Sequence, residues 1–517
     1  MLAQALREDP SLALSTDLYE LSMAQGYWKN EVTEHQAEFH MFFRTNPFAG
    51  GYVVWAGLAD LVAALRDFRF SPGDLAYLAS IPDREGAPLF DPQFLDYLGG
   101  LRFALDVDAA PEGTVVFPNE PLVRVQGPIL QAQVVETLIL TIVNFQSLIA
   151  TKAARCVIAA QGDPVVDFGL RRAQGLDGGF SASRAAYIGG CAGTSNVLAG
   201  KVLGIRVLGT FAHSWVMSFD SERESFEAFA RAMPNNCVFL VDTYDTIQGV
   251  RHAIEVGLAL RARGHEMVGI RLDSGDLAWL SIQARHMLDE AGLPGAVVMA
   301  SSDLDEYLIR SLKDQGARIG SWGVGTRLVT GFGDPALGGV YKLTAVRRPE
   351  REAWEYKLKL SEQKAKTSIP GLLQVYRCAD GGGKFVADAI VDQGEDPASL
   401  TRIIDPNDNT KTKSLRGATL REPLLVPVFR RGEPVCDSPP IDAIRARAQD
   451  QLGRLDPGHR RFENPHLYPV GLSPRLNALR DEMITRARGL DNGGGGAHAA
   501  GGGPGPAPGA GGPGSGK

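Results

Sequence analysis

Between about Leu130 and Ala345 the chain repeats one unit: a short apolar run, a turn carrying Gly, Asp or Ser, and an amphipathic helix. The runs are Pro164–Phe168, Ile205–Leu208, Cys237–Val241, Met267–Leu272, Ala296–Ala300, Arg318–Gly323 and Val340–Ala345. They are mostly continuous in apolar residues instead of alternating with polar ones, the pattern of strands buried on both faces. Strand–helix alternation of this kind builds a parallel sheet with helices outside it. The expected fold is therefore α/β, a parallel α/β barrel, with an open doubly wound sheet as the alternative.

The flanks differ in texture. Residues 1–129 read as an α+β domain. Asp17 with Glu20 resembles a helix cap with its reciprocal acid, opening a helix to about Trp28. Strands at Glu38–Phe43 and Gly51–Trp55, helices at Leu58–Arg66 and Pro92–Leu98, and a β-rich stretch from Phe103 to Val125 follow. Residues 130–347 form the barrel domain, introduced by a long helix from Gln131 to about Gln161. Residues 348–490 form a smaller C-terminal domain, with irregular strands (Tyr356–Leu360, Leu373–Tyr376, Leu424–Phe429) and two closing helices, Asp442–Arg454 and Ser473–Arg488. The Gly/Pro/Ala tail, 491–517, has almost no side chains to bury and is expected to be disordered.

Composition excludes some partners. The net charge of −7 and the lack of a long basic run argue against nucleic acid or an anionic membrane. The five cysteines are scattered without metal-site spacing, as expected of reduced thiols in a cytoplasmic protein. The first residues lack the basic flank and apolar core of a signal peptide. The longest apolar run, near Val134–Val143, is interrupted by Glu136 and Thr137 and is too short to span a bilayer.

Chemistry gathers at the ends of the apolar runs. They empty into Asp167-Phe-Gly-Leu-Arg-Arg172, Thr210-Phe-Ala-His213, Asp242-Thr-Tyr-Asp245, Arg271-Leu-Asp-Ser-Gly-Asp276, Ser301-Ser-Asp303 and Gly323-Val-Gly-Thr-Arg327. In a parallel barrel these ends share one face and line one pocket. Gly323-Val-Gly-Thr326, followed by a helix, would offer backbone N–H groups and a hydroxyl to an anion. Arg171, Arg172, Arg184 and Arg271 would add guanidinium forks suited to phosphate and carboxylate. Asp242, Asp245, Asp273 and Asp276 would hold Mg²⁺ or orient His213. Tyr19 and Phe168 are candidates to sandwich a flat ring.

The same motifs resemble the nicotinate phosphoribosyltransferase family. The likeness begins at Ser15-Thr-Asp-Leu-Tyr-Glu-Leu-Ser-Met-Ala-Gln-Gly-Tyr-Trp28. It continues in order through the Asp167, Gly193-Thr-Ser-Asn196, Gly209–Ser214, Val241–Asp245, Ile270–Asp276 and Gly323–Thr326 segments, and more faintly to about Leu490. The resemblance implies that nicotinate and 5-phosphoribosyl 1-diphosphate (PRPP) give nicotinate mononucleotide and diphosphate, coupled to ATP hydrolysis in a ligase-type reaction with Mg²⁺. It implies an irregular parallel α/β barrel with a flanking domain, and a head-to-tail homodimer with shared sites. It makes His213 an autophosphorylated histidine oriented by Asp242, and Tyr19 (from the partner) and Phe168 the aromatic pair around the pyridine. Thr210, Arg271 and Asp273 become substrate-binding, Arg171 a clamp for the carboxylate or PRPP, and Gly323, Gly325 and Thr326 the phosphate cradle.

Two other readings stay open. The sister family acting on nicotinamide carries an acid where this chain has Ser195, and an acid there would repel a carboxylate. A non-catalytic phosphate-binding barrel would have no need of His213 and Asp242 beside the arginines. Quinolinate phosphoribosyltransferases, which are shorter and use no ATP, fit less well.

Overall fold

The computed structural model describes residues 11–361 and 367–489; the tail at 491–517 lies outside them. The central element is a six-stranded sheet, parallel throughout, in the order Gly193–Thr194, Val165–Asp167, Ser321–Val324, Val297–Ser302, Gly269–Leu272, Val238–Leu240. Its strands follow the chain in cyclic order, with the last strand, Ser321–Val324, returning beside the first, Val165–Asp167. Ile205–Leu208, expected as a full strand, contributes a single bridge, Val207 to Thr194. Among the described residues no ladder joins that segment to Val238–Leu240, so the sheet is open at this seam.

The strands are short and nearly all buried because helices cover them: Thr246–Ala262, Leu277–Glu290 and Glu306–Asp314 each follow a strand and pack an apolar face inward. Each starts on an aspartate that accepts from its first turn: Asp245 from Gln248 N, Asp276 from Trp279 N, Asp305 from Tyr307 N and Leu308 N. Asp245 and Asp276 are thus helix caps.

Gly339–Arg347 corrects the sequence reading. It is a strand, but it pairs antiparallel with Gln36–Phe43 in a separate seven-stranded sheet. That sheet also holds Val123–Pro128, Asp106–Ala109 and, from much later in the chain, Glu355–Tyr356 and Val426–Arg430. Its pairing therefore crosses the expected boundaries at 129 and 347. A third, mixed sheet and the helices Ile441–Arg454 and Pro474–Ala487 make the C-terminal part.

The expected long helix is two, Ile129–Val134 and Glu136–Ala159, breaking at Val135. Together they are long and apolar enough to cross a membrane, yet 61% of the most apolar window is buried between the two main cores, the position of a core helix. The N-terminal helix, Leu18–Lys29, forms without the expected cap pair: Asp17 makes no side-chain cap bond. Thr137 Oγ1 donates to both Asp17 Oδ2 (2.9 Å) and Glu20 Oε1 (2.6 Å), so these acids fasten the helix to the start of Glu136–Ala159.

Candidate active site

The parallel strands deliver their C-terminal ends to one cavity of about 520 Å³, within the usual range for a small-molecule site. Asp167 closes the first strand. Its carboxylate is buried, accepting from Gly169 N at 2.8 Å, Ser183 Oγ at 2.9 Å and Thr194 Oγ1 at 2.7 Å. With the turn so fixed, Phe168 and the short helix Leu170–Arg172 face the cavity, bringing Arg171 and Arg172 to its wall. Phe168 lies over the next strand: a Cβ on Gly323 would stand 2.6 Å from its ring, so only glycine fits beneath it.

Thr210, His213, Arg271, Asp273, Gly323, Gly325 and Thr326 line the same cavity. The Gly323–Thr326 turn is followed by a helix, as expected, and that helix is a single turn, Thr326–Val329. Arg327 turns away from the wall, donating to Asp305 Oδ2 at 2.6 Å and stacking on Phe332.

Arg271 is the most confined cation on the wall. Burial pulls its affinity for a proton down, while Asp273 and Asp242 oppose that effect. Its Nη2 donates to Phe211 O at 3.1 Å, and its Nε is buried without a partner. A confined guanidinium with a donor to spare is suited to an anionic oxygen. Arg171, Arg172 and Arg271 face two wall carboxylates, Asp273 and Asp303, which favours an anion overall.

His213 opens the short helix His213–Met217 and is part-exposed. Its Nδ1 lies 3.1 Å from Thr243 Oγ1 and its Nε2 3.9 Å from Asp273 Oδ2. Asp273 is the acid beside the imidazole, held by a short bond from Ser301 Oγ to its Oδ1. Asp242 stands one step behind: its Oδ2 accepts from Asp273 N at 3.0 Å and from Ser274 Oγ at 2.6 Å, while its Oδ1 is buried and unpartnered. Ser302, also on the wall, has φ of 146°, a strained backbone of the kind concentrated at functional sites.

Five of the residues singled out are not on the cavity wall: Asp242, the helix caps Asp245 and Asp276, Tyr19 and Arg184. Tyr19 is on the N-terminal helix, 48% exposed, and does not line this cavity in its own chain. Arg184 is buried in a fork on Glu112, with Nη2 to Oε2 at 2.9 Å, and Gln146 accepts from its Nη1. It braces the helix Gly175–Ile188 and is not part of the anion wall. Thr243, Ser301 and Ser302 stood within strand-end segments expected at the pocket but had no individual role in the sequence reading, being common turn residues whose partners come from other strands.

Profiles of the nicotinate phosphoribosyltransferase (NAPRTase) N-terminal domain, family and C-terminal domain match residues 14–144, 164–361 and 373–480. The chain is 42% identical over 472 residues to a nicotinate phosphoribosyltransferase of Bacillus subtilis (strain 168), covering 90% of this chain and 94% of that one. A crystal structure of human nicotinic acid phosphoribosyltransferase is similar with a TM-score of 0.78 at 32% identity, covering 90% of this chain and 99% of that one. A nicotinate-nucleotide pyrophosphorylase structure from Pyrococcus furiosus shares the fold, with a TM-score of 0.64, 22% identity and coverage of 86% and 97%.

Proposed function

The chain belongs to the nicotinate phosphoribosyltransferase family, and on that premise we propose that its cavity joins nicotinate to PRPP. The observation that carries this reading is the convergence of Phe168, Arg171, Thr210, His213, Arg271 and the Gly323–Thr326 turn on one wall. The pyridine nitrogen attacks C1 of the phosphoribosyl group, the C1–O bond to diphosphate breaks, and diphosphate leaves. The ring nitrogen carries its own lone pair, so the reaction needs no general base.

The protein's task is placement and charge. Phe168 covers the pyridine face, and Arg271 with Thr210 takes the carboxylate. Gly323, Gly325 and Thr326 receive the phosphoribosyl phosphate, and Arg171 steadies the charge that grows on the leaving diphosphate. Mg²⁺ would further neutralise that diphosphate. Asp273 and Asp303, the two carboxylates on the wall, are the residues that would hold the ion together with substrate oxygens.

ATP coupling through His213 is part of the same proposal, supported by a part-exposed imidazole with Asp273 at one nitrogen and Thr243 at the other. Asp242 serves this pair by holding the Asp273 turn. A head-to-tail homodimer, with Tyr19 completing the partner's ring site, is supported by two exposed apolar surfaces. Leu18, Tyr19 and Met23 form one; Val197, Leu198 and Val202, directly after cavity residue Ser195, form the other. The cyclic strand order supports an irregular barrel, and the unpaired cysteines a cytoplasmic setting.

Mass analysis of the product tests the reaction. Nicotinate, PRPP and Mg²⁺ should yield nicotinate mononucleotide and diphosphate, with more product when ATP is present. Absence of the mononucleotide in both mixtures would reject the reading.

A further inference from the structure

The strand Val238–Leu240 ends in a dipeptide that grips two different segments. Asp242 takes the backbone N–H of Asp273 at 3.0 Å, and Thr243 meets Nδ1 of His213 at 3.1 Å. The His213–Asp273 pair itself is loose, at 3.9 Å, and both side chains are more than a third exposed. A contact that open does not by itself fix a ring. The direct side-chain bond that the imidazole makes here is the one to Thr243, which is part-buried.

We propose that Thr243 is a positioning residue for His213: its hydroxyl engages Nδ1 and leaves Nε2 as the nitrogen offered to the cavity. In the tautomer this proposal requires, the hydroxyl accepts a hydrogen bond from Nδ1–H and the lone pair sits on Nε2, the side facing Asp273. A transfer from a nucleoside triphosphate would then form the Nε2–P bond as the bond from the terminal phosphorus to its bridging oxygen breaks and the nucleoside diphosphate departs. Nδ1 keeps its proton, and Asp273 faces the positive ring. This step rests on the ATP-coupled reading above; the ring placement does not.

The test uses the full-length protein with Thr243→Val, which keeps shape and removes the hydroxyl, and Thr243→Ser, which restores it. Ring ¹⁵N spectra of histidine-labelled protein, with the His213 signal identified by its loss in His213→Ala, should show a protonated Nδ1 in wild type and Thr243→Ser. Thr243→Val should show a tautomer mixture. The ratio of rates with and without ATP should fall about tenfold in Thr243→Val and recover in Thr243→Ser, and phosphoryl on wild-type His213 should be on Nε2. A wild-type tautomer in Thr243→Val, or phosphoryl on Nδ1, would overturn the proposal. No ATP effect in wild type would instead remove the coupling reading, with the spectra still deciding the role of Thr243.

Discussion

Gly323 and Phe168 occupy space that a single added carbon would close. A Cβ at Gly323 would stand 2.6 Å from Phe168 Cδ2 and 2.7 Å from Cε2. The backbone of one strand end is thereby the floor on which the ring of its neighbour rests.

Gly323→Ala should therefore tilt or lift Phe168, at a packing cost of about 1–3 kcal/mol. With Phe168 covering nicotinate, KM for nicotinate should rise about tenfold, and more than KM for PRPP. Steady-state kinetics in each substrate check this; equal changes in both would contradict it.

Arg271→Lys keeps the charge and loses the planar fork. A bidentate contact to the nicotinate carboxylate would weaken by about 1.5–3 kcal/mol, raising KM for nicotinate at least tenfold. Nicotinamide, which carries no charge, should lose far less. Competition between the two substrates measures the difference.

His213→Ala should remove the ATP-stimulated part of the rate and leave slower, ATP-independent synthesis. Parallel assays with and without ATP read it directly. A variant that keeps the wild-type ratio would exclude phosphoryl transfer to this histidine.

Arg184→Met addresses the arginine that sequence placed on the wrong wall. Glu112 would keep its bonds from Gly57 N and Ala59 N and lose its buried countercharge. Stability should fall by about 3–5 kcal/mol, with KM for PRPP in the remaining folded enzyme unchanged. Denaturant unfolding and kinetics together separate the two effects.

His40 supplies a pH dependence. It is buried against Glu38, with Arg124 and Asp392 nearby, and burial, the largest influence, lowers its pKa from 6.5. The unfolded chain takes up this proton as pH drops below 6.5, and the folded protein does so only lower. Stability should thus decline as pH falls through 6.5, by up to about 1.4 kcal/mol per pH unit from this group. Melting curves of wild type and His40→Gln over that range should diverge, with the variant flatter.

The parallel sheet and its rim were legible because strands buried on both faces leave continuous apolar runs, and polar residues crowd where those runs stop. That rule brought Asp273, Arg271 and Phe168 to the cavity wall, while their separate roles came from the family resemblance. Arg184 was not separable from Arg171, since nothing local says which way a guanidinium points once a helix begins. Ile205–Leu208 has the composition of a strand but reaches a neighbour only at Val207. Asp17 and Glu20 look like a self-contained cap, and it took Thr137, in a different helix, to claim both carboxylates. Each miss is a competition between a local partner and a distant one, and the distant one won.

The pairing of Gln36–Phe43 with Gly339–Arg347 has a consequence during synthesis. One edge of the early strand is satisfied as soon as Val123–Pro128 emerges from the ribosome. The other must wait until the whole central sheet has been translated, tens of seconds at about 5–20 residues per second. For that interval the nascent chain exposes a row of unmet backbone donors and acceptors on a strongly apolar ribbon, a template for joining another chain. Its yield in cells should depend on how well chaperones shield that one edge.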